Sequence, residues 1–279
     1  LLSATCTGIW AWHTVLPNSQ AQALMTEPLT CKQLTVAIAG RTLLQDLDLS
    51  LPAGSITCVL GLNGSGKTLT LHTLAGLRPP HSGSVKLFGE ALEQLSRRQI
   101  AGNLGLLLQT HEDAFPITVL EAVLMGQHAK LGFWEQDGPA TRLQAEQLLS
   151  NVGLAGFANR QVNSLSGGER RRTAIATIQL QDPSIWLLDE PTNHLDPQHQ
   201  LAVMEMLSQL AGAGKTVIAS IHDPLLAARY SNYALLLHGN GHWQFGAADQ
   251  LLTPDHMRDL YGVPYENLTG QRFESLVPA

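Results

Sequence analysis

The sequence predicts an α/β domain on a mainly parallel sheet, with an antiparallel β portion and an inserted helical subdomain. Three observations carry that prediction. Short apolar runs suited to buried strands recur at Val85 to Phe88, Leu104 to Leu108, Ile185 to Leu188, Val217 to Ser220 and Leu235 to Leu237, with helix-forming stretches interleaved. Another such run, Ser55 to Leu60, feeds a glycine-rich loop that opens into a helix. Between about residues 111 and 165 the strand pattern disappears and helical spacing takes over.

In chain order, Leu34 to Leu51 alternates apolar and polar residues irregularly, and Pro52-Ala53-Gly54 marks a turn before the Ser55 to Leu60 strand. The helix after the glycine loop runs through Leu69, Leu71 and Leu74 and stops at Gly76, with Pro79-Pro80 beyond it. In the helical segment, Arg142 to Val152 sets Leu143, Leu148, Leu149 and Val152 at helical spacing before Gly153. Near the end, His238-Gly239-Asn240-Gly241-His242 separates two apolar runs and predicts a hairpin turn. The domain is expected to span 25–265, with the helical subdomain at about 111–165 and residues 266–279 as a C-terminal tail.

Composition narrows the class. With 44% hydrophobic residues in 279, the chain can bury a substantial core. No window reaches the roughly 18 uninterrupted apolar residues of a membrane helix, so a membrane role is expected to come through a partner. A net charge of -6 argues against bulk attraction to nucleic acid, with Arg170-Arg171-Arg172 as a local basic spot, and no nucleic-acid partner is expected. Three cysteines, Cys6, Cys31 and Cys58, make neither a disulfide framework nor a metal spacing. Residues 1–24 are expected to be an extension outside the domain, either poorly ordered or a misplaced start. A signal peptide fits poorly, because the start carries no positive charge and Trp10, Trp12 and His13 interrupt its apolar stretch.

Three motifs carry chemistry. Gly61-Leu62-Asn63-Gly64-Ser65-Gly66-Lys67-Thr68 satisfies the Walker A pattern, in which bare backbone N–H groups and a helix N-terminus wrap phosphate oxygens. Lys67 would reach the β and γ phosphates, and the Thr68 hydroxyl would ligate Mg²⁺. Ile185-Trp186-Leu187-Leu188-Asp189-Glu190 is an apolar strand ending in two carboxylates, suited to a Walker B, with Asp189 serving the magnesium shell and Glu190 facing an attacking water. Leu165-Ser166-Gly167-Gly168-Glu169 precedes a helix-forming run to about Gln181 and makes a second anion-receptive helix start. One nucleotide seldom needs both glycine-rich surfaces from one subunit.

In that order these motifs resemble the nucleotide-binding subunit of an ABC transporter, over about residues 29 to 265. Leu165 to Glu169 matches the family's signature sequence, which other P-loop ATPases lack. The resemblance implies a P-loop NTPase ABC cassette that binds ATP and Mg²⁺ and hydrolyses the nucleotide. It identifies Gln109 with the Q-loop, whose side chain is implied to touch Mg²⁺ and the attacking water. Asn193-His194-Leu195-Asp196 matches the D-loop, so Asp196 is implied near nucleotide. His222, 33 residues after Asp189, matches the switch histidine at the γ phosphate. Catalysis is thus expected from Glu190, His222, Gln109 and Lys67, with Thr68, Gln109 and Asp189 around the metal. The resemblance further implies a head-to-tail homodimer in which Ser166, Gly167, Gly168 and Glu169 of one copy serve the ATP of the other.

Three positions depart from the family pattern. Leu69 stands where a hydroxyl usually meets the α phosphate, Ile38 where an aromatic usually stacks on adenine, and Thr177 where an arginine is common. Phe115 to Gly126, with Leu251-Leu252-Thr253-Pro254 and Leu260-Tyr261-Gly262-Val263, resembles ATPases that energise uptake of ferric siderophores, haem and cobalamin. That implies permease subunits docking at residues 111 to 131, an extracytoplasmic binding protein, and a peripheral place on the cytoplasmic face of the inner membrane. The competing readings are an ABC ATPase for another substrate such as zinc or manganese, and a soluble ABC ATPase outside transport. The eleven histidines form no compact ligand set, and His238 and His242 are expected to face solvent.

Overall fold

The computed structural model describes residues 27–109, 116–128, 138–270 and 273–278, with side chains to residue 266. The first 26 residues, with Cys6, lie outside the described residues, as do 111–115 and 129–131 of the stretch expected to dock a permease. Two long strands come first, β1 (Leu29–Ile38) and β2 (Arg41–Leu51), then β3 (Ile56–Leu60) and the helix α1 (Lys67–Leu74). Next come β4 (Ser82–Leu87), β5 (Glu90–Ala91), α2 (Arg97–Asn103), β6 (Leu104–Leu107), α3 (Val119–Leu124), α4 (Pro139–Asn151) and α5 (Gly167–Gln181). The chain continues through β7 (Ile185–Asp189), α6 (Pro197–Gly212), β8 (Thr216–Ser220), α7 (Pro224–Tyr230), β9 (Tyr233–Leu237) and β10 (Trp243–Ala247). Last come α8 (Ala248–Leu251), α9 (Pro254–Tyr261), β11 (Tyr265–Gly270) and β12 (Phe273–Pro278).

The central sheet has the order β10-β9-β3-β8-β7-β6. Every pairing among β9, β3, β8, β7 and β6 is parallel, and only β10 joins antiparallel. A fully parallel block must be covered on both faces, and the side chains of β7 show how. Trp186 and Leu188 enter a cluster with Ile175 of α5 and Met204 and Leu207 of α6, whereas Ile185 and Leu187 point the other way into a cluster with Leu71 and Leu74 of α1. That second face is closed by an antiparallel sheet, β2-β1-β4-β5, through Leu29, Leu34, Leu44 and Leu47. Val85 to Phe88 therefore does not extend the parallel sheet as its apolar character suggests: β4 pairs antiparallel with β1, from Leu29 opposite Leu87 to Thr35 opposite Ser82. An apolar run of that length fixes burial but not its neighbour.

In the stretch 111–165 the described residues form helices without strands, and a third cluster joins Leu120 and Val123 of α3 to Leu149 of α4 and to Ala176 and Leu180 of α5. α5 thus packs on two cores and links the parallel sheet to the helical part. Thr177 on that helix donates to Ala122 O at 3.2 Å and Thr173 O at 3.0 Å. At Gly126 a Cβ would collide with Thr177 O, so α5 and the end of α3 meet backbone to backbone. The segment expected to be a tail forms an antiparallel hairpin, with Tyr265 opposite Pro278. The turn after β9 falls at the glycines between His238 and His242, with Leu237 paired to Trp243; His242 is exposed and His238 half-buried.

Two positions are prepared by tight turns. Ala39 and Gly40 both have positive φ, 48° and 78°, between the paired Ile38 and Arg41, the two-residue hairpin geometry that suits strand twist. It sets Ile38 and Arg41 side by side at the lip of the cleft described below. Because Leu187 is fully buried between the two sheets, Leu187→Ala is expected to lower unfolding free energy by about 2–5 kcal/mol, measured by chemical denaturation.

Candidate active site

Parallel strands present all their C-terminal ends at one edge, where ligands of open α/β sheets bind. Here that edge gathers the loop after β3, Gln109 after β6, Asp189 and Glu190 at the end of β7, and His222 after β8. Gly61 leaves β3 with φ 155°, and a Cβ there would collide with Leu237 O and crowd Ser65 Oγ. Gly66 then opens α1 at φ 104°. The Lys67 ammonium folds into the loop, donating to Gly61 O at 2.7 Å and Leu62 O at 3.2 Å. Burial pushes its pKa down, against the pull of Glu190 and Asp189. Ser65 Oγ is buried without a hydrogen-bond partner.

The two carboxylates are almost fully buried and each is held by donors. Thr68 Oγ1 donates to Asp189 Oδ2 at 2.7 Å, and Ser220 Oγ donates to Asp189 Oδ1 at 2.6 Å. The same Ser220 oxygen accepts from Glu190 N at 2.8 Å. Glu190 has φ 53°, a left-handed conformation costly for a side-chain-bearing residue, and its carboxylate faces three donors. Gln109 Nε2 reaches Oε2 at 2.9 Å, Asn193 Nδ2 reaches the same oxygen, and His222 Nε2 lies 2.6 Å from Oε1. A carboxylate only accepts, so His222 carries its proton on Nε2.

The signature residues lie elsewhere. Ser166 caps α5 by accepting from Glu169 N at 3.3 Å, while Glu169 accepts from Ser166 N at 2.7 Å. This is the reciprocal box that satisfies a helix start. Hydrogen bonds to the Glu169 carboxyl from the Ser166 backbone first and the Ser166 side chain next hold it below the usual range. Gly167 and Gly168 pack on the loop that follows Asn193, with a Cβ at Gly168 placed 3.0 Å from His194 O. Asp196 caps α6, and hydrogen bonds from the His199 backbone and ring keep its carboxyl low. Neither Ser166 to Glu169 nor Asp196 lines the cleft that holds Lys67, Gln109, Glu190 and His222. One chain brings the Walker residues together and leaves the signature and D-loop carboxylate apart.

The family model described as ABC transporter matches residues 44–193. The chain belongs to the ABC transporter family. It is 34% identical over 245 residues to the iron(3+)-hydroxamate import ATP-binding protein FhuC of Bacillus subtilis, covering 88% of this chain and 91% of that one. To the hemin import ATP-binding protein HmuV of Hahella chejuensis it is 37% identical, over 80% of this chain and 88% of that one. An inward-facing metal-chelate type ABC transporter superposes with TM-score 0.77 at 28% identity, over 90% of this chain and 97% of that one. The cassette is therefore an ATP hydrolase with the fold expected from its sequence.

In this ABC cassette the cleft beside the Walker A loop has a volume of about 470 Å³ and is lined on one side by Ile38, Arg41 and Leu43 and on the other by Asn63, Gly64, Lys67, Thr68 and Leu69. Its residues suit a nucleotide polyphosphate. Lys67 already offers its ammonium to loop carbonyls, Ser65 Oγ awaits a partner, and Thr68 and Asp189 set two oxygens 2.7 Å apart, the hard donors that Mg²⁺ selects. Leu69 turns toward the core beneath the antiparallel sheet and brings no hydroxyl. Ile38 is 42% exposed at the lip, and among the described residues no Phe, Trp or Tyr lines this cleft.

Several contributors were not singled out as site residues from sequence. Arg171 is the largest correction. It belongs to no solvated basic spot: it is buried and donates to Leu108 O, to Asp189 O at 3.0 Å and to Glu190 O at 2.8 Å, tying β6, β7 and α5 together. Arg172 is likewise engaged with Val152 O and Gly153 O. Asn193 stood in the D-loop match without a role, Arg41 donates to Gly239 O at 2.9 Å, and Ser220 bridges both carboxylate residues. Only Asn193, three residues past Glu190 in a turn, carried a local signal. Ser220→Ala orphans a buried carboxylate oxygen and the Glu190 N–H, so a loss of about 1–3 kcal/mol in stability is expected, with a lower kcat; denaturation and steady-state ATPase assays check both.

Proposed function

We propose that this chain hydrolyses MgATP at a head-to-tail dimer interface and thereby drives uptake of a metal chelate or corrinoid, a ferric siderophore, haem or cobalamin, through a membrane permease. The observation that carries the dimer is the separation within one chain of two anion-receptive surfaces, the Walker A loop and the Ser166 helix start. A second copy turned head to tail supplies the missing half to each cleft. Kinship to iron-hydroxamate and hemin import proteins supports the class of cargo. The chain is also 31% identical to the manganese transport protein MntB of Bacillus subtilis, which favours a manganese importer as the second reading.

Phosphoryl transfer asks the protein for charge neutralisation and alignment. Lys67 and the loop N–H groups hold the phosphates, and Thr68 and Asp189, with Gln109, hold the metal. When bound by those residues, Mg²⁺ would supply positive charge to offset the phosphate charge. The water oxygen bonds to the γ phosphorus as the bond from that phosphorus to the bridging oxygen breaks, and Glu190 accepts the water's proton, giving ADP and inorganic phosphate. His222, now donating to Glu190, exchanges that partner for a γ-phosphate oxygen, and Gln109 orients the water. Ser166, Gly167, Gly168 and Glu169 of the partner subunit cover the same phosphates, with Asp196 beside them.

None of the helices among the described residues is long and apolar enough to cross a membrane. The cassette is placed peripherally on the cytoplasmic face through its permease, which works with an extracytoplasmic binding protein. Its docking surface is proposed at 111–131, of which 116–128 are described, with Met125 half-exposed at the end of α3.

Glu190→Gln is expected to keep ATP binding, abolish turnover and accumulate closed dimer, while Lys67→Ala loses nucleotide; size-exclusion with ATP and a phosphate-release assay read both, and undiminished turnover in Glu190→Gln removes Glu190 from the role. Ile38→Tyr should tighten ATP by about 0.5–1.5 kcal/mol through ring stacking, measured by calorimetry; unchanged affinity would show that another group already supplies the base contact. Purifying the native permease complex and asking which ligand-loaded binding protein stimulates its ATPase decides between chelate and manganese.

A further inference from the structure

Outside the nucleotide cleft, a polar chain runs from the D-loop to the end of α4. Asp196 accepts from His199 N at 2.9 Å, and both its carboxylate oxygens lie 2.9 Å from His199 Nδ1. Across the ring, His199 Nε2 lies 3.2 Å from Arg172 Nη1. That nitrogen also donates to Val152 O at 2.9 Å and to Gly153 O at 3.2 Å. A guanidinium has no lone pair to offer, so Nε2 is the acceptor and the ring hydrogen sits on Nδ1, aimed at Asp196. The imidazole is a neutral bridge with its tautomer set from both sides.

The backbone has been shaped around this bridge. Gly153 takes φ +72°, and a Cβ there would lie 2.9 Å from Arg172 Nη1 and 3.8 Å from His199 Nε2. Arg172 stands one helical turn beyond Gly168, which itself packs on His194 O. His194 turns the D-loop through φ 60°. The signature helix therefore touches the D-loop directly through bare glycine at its start and reaches Asp196 a turn later by way of the Arg172–His199 pair. Asp196 is 61% exposed, and without the His199 ring only the backbone N–H of residue 199 would hold its carboxylate.

We propose that Asp196, His199 and Arg172 form a clamp that fixes the D-loop carboxylate relative to the signature glycines, so that one copy presents both to the other copy's nucleotide as a single rigid surface. His199 and Arg172 are positioning residues in this reading, which rests on the head-to-tail dimer. Because the clamp lies wholly within one chain, it is tested separately from the dimer. It serves alignment in the composite site and leaves the nucleotide's own Walker A grip untouched.

Nitrogen-detected NMR on the full-length protein labelled at histidine reads the tautomer. The clamp predicts a hydrogen on Nδ1 of His199 and a bare Nε2, and Arg172→Ala should weaken that preference to what Asp196 alone maintains. In ATPase assays His199→Ala should lower kcat about tenfold, the scale of a small misalignment, with KM for ATP held within about twofold. His199→Asn, whose amide can still donate to Asp196, should recover part of that loss. An Nε2–H tautomer in the wild type, an unchanged kcat in His199→Ala, or an asparagine variant as slow as alanine at wild-type melting temperature overturns the clamp. Wild-type turnover per chain that does not rise with protein concentration overturns the dimer reading instead, whatever His199 shows.

Discussion

Two neighbouring carboxylates at the buried end of one strand set the terms for everything around them. Asp189 has no exposed surface and Glu190 only 6%, and uncompensated buried charge is among the costliest things a fold can hold. The sheet topology answers that cost. β6 and β8 flank the end of β7 and deliver Gln109, Ser220 and His222 to it, α1 brings Thr68 and Lys67, and the turn after Glu190 brings Asn193. Arg171 enters from α5 and accounts for the main-chain carbonyls of the same two residues. The proposed catalytic constellation is in this sense the solution to a desolvation problem, and the groups that stabilise the buried pair are the ones proposed to handle water and phosphate.

That solution is complete within one chain for the carboxylates, and in the proposed dimer the partner completes it for the phosphates. The Walker A loop supplies one positive helix end, and the second, at Ser166, sits on the other side of the D-loop with its own capping box satisfied. Its structural role as a cap is self-contained, yet Gly167 and Gly168 leave backbone bare where a side chain would cover it. α5 belongs to both the parallel-sheet core and the helical core, so movement of the helical part at a permease would carry the signature with it. In the proposed dimer this couples docking on one side to the nucleotide on the other.

What the sequence made legible followed from local rules. Gly61 to Thr68 could be read because glycine is required at Gly61, where a Cβ meets Leu237 O, and the Ile185 to Glu190 strand because four apolar residues end abruptly in two carboxylates. Long-range partners escaped. Nothing in Val85 to Phe88 announces an antiparallel neighbour, and nothing in Arg170-Arg171-Arg172 separates a buried arginine bound to three carbonyls from a solvated one. Ser220 looks like an ordinary strand end until Asp189 and Glu190 are placed beside it. The tail at 266–279 lacks the apolar periodicity that would have flagged its hairpin, whose register is set by pairing alone.

The division of the active site between two copies is tested most directly by mixing two inactive variants. Lys67→Ala removes a Walker A and leaves the signature intact, while Ser166→Arg blocks the signature and leaves the Walker A intact. If each cleft is completed by the other copy, the mixed dimers contain one whole site, and ATPase activity returns on mixing two preparations that are each inactive alone. If the site is complete within one chain, every chain in the mixture carries a defect, and no mixing ratio restores turnover.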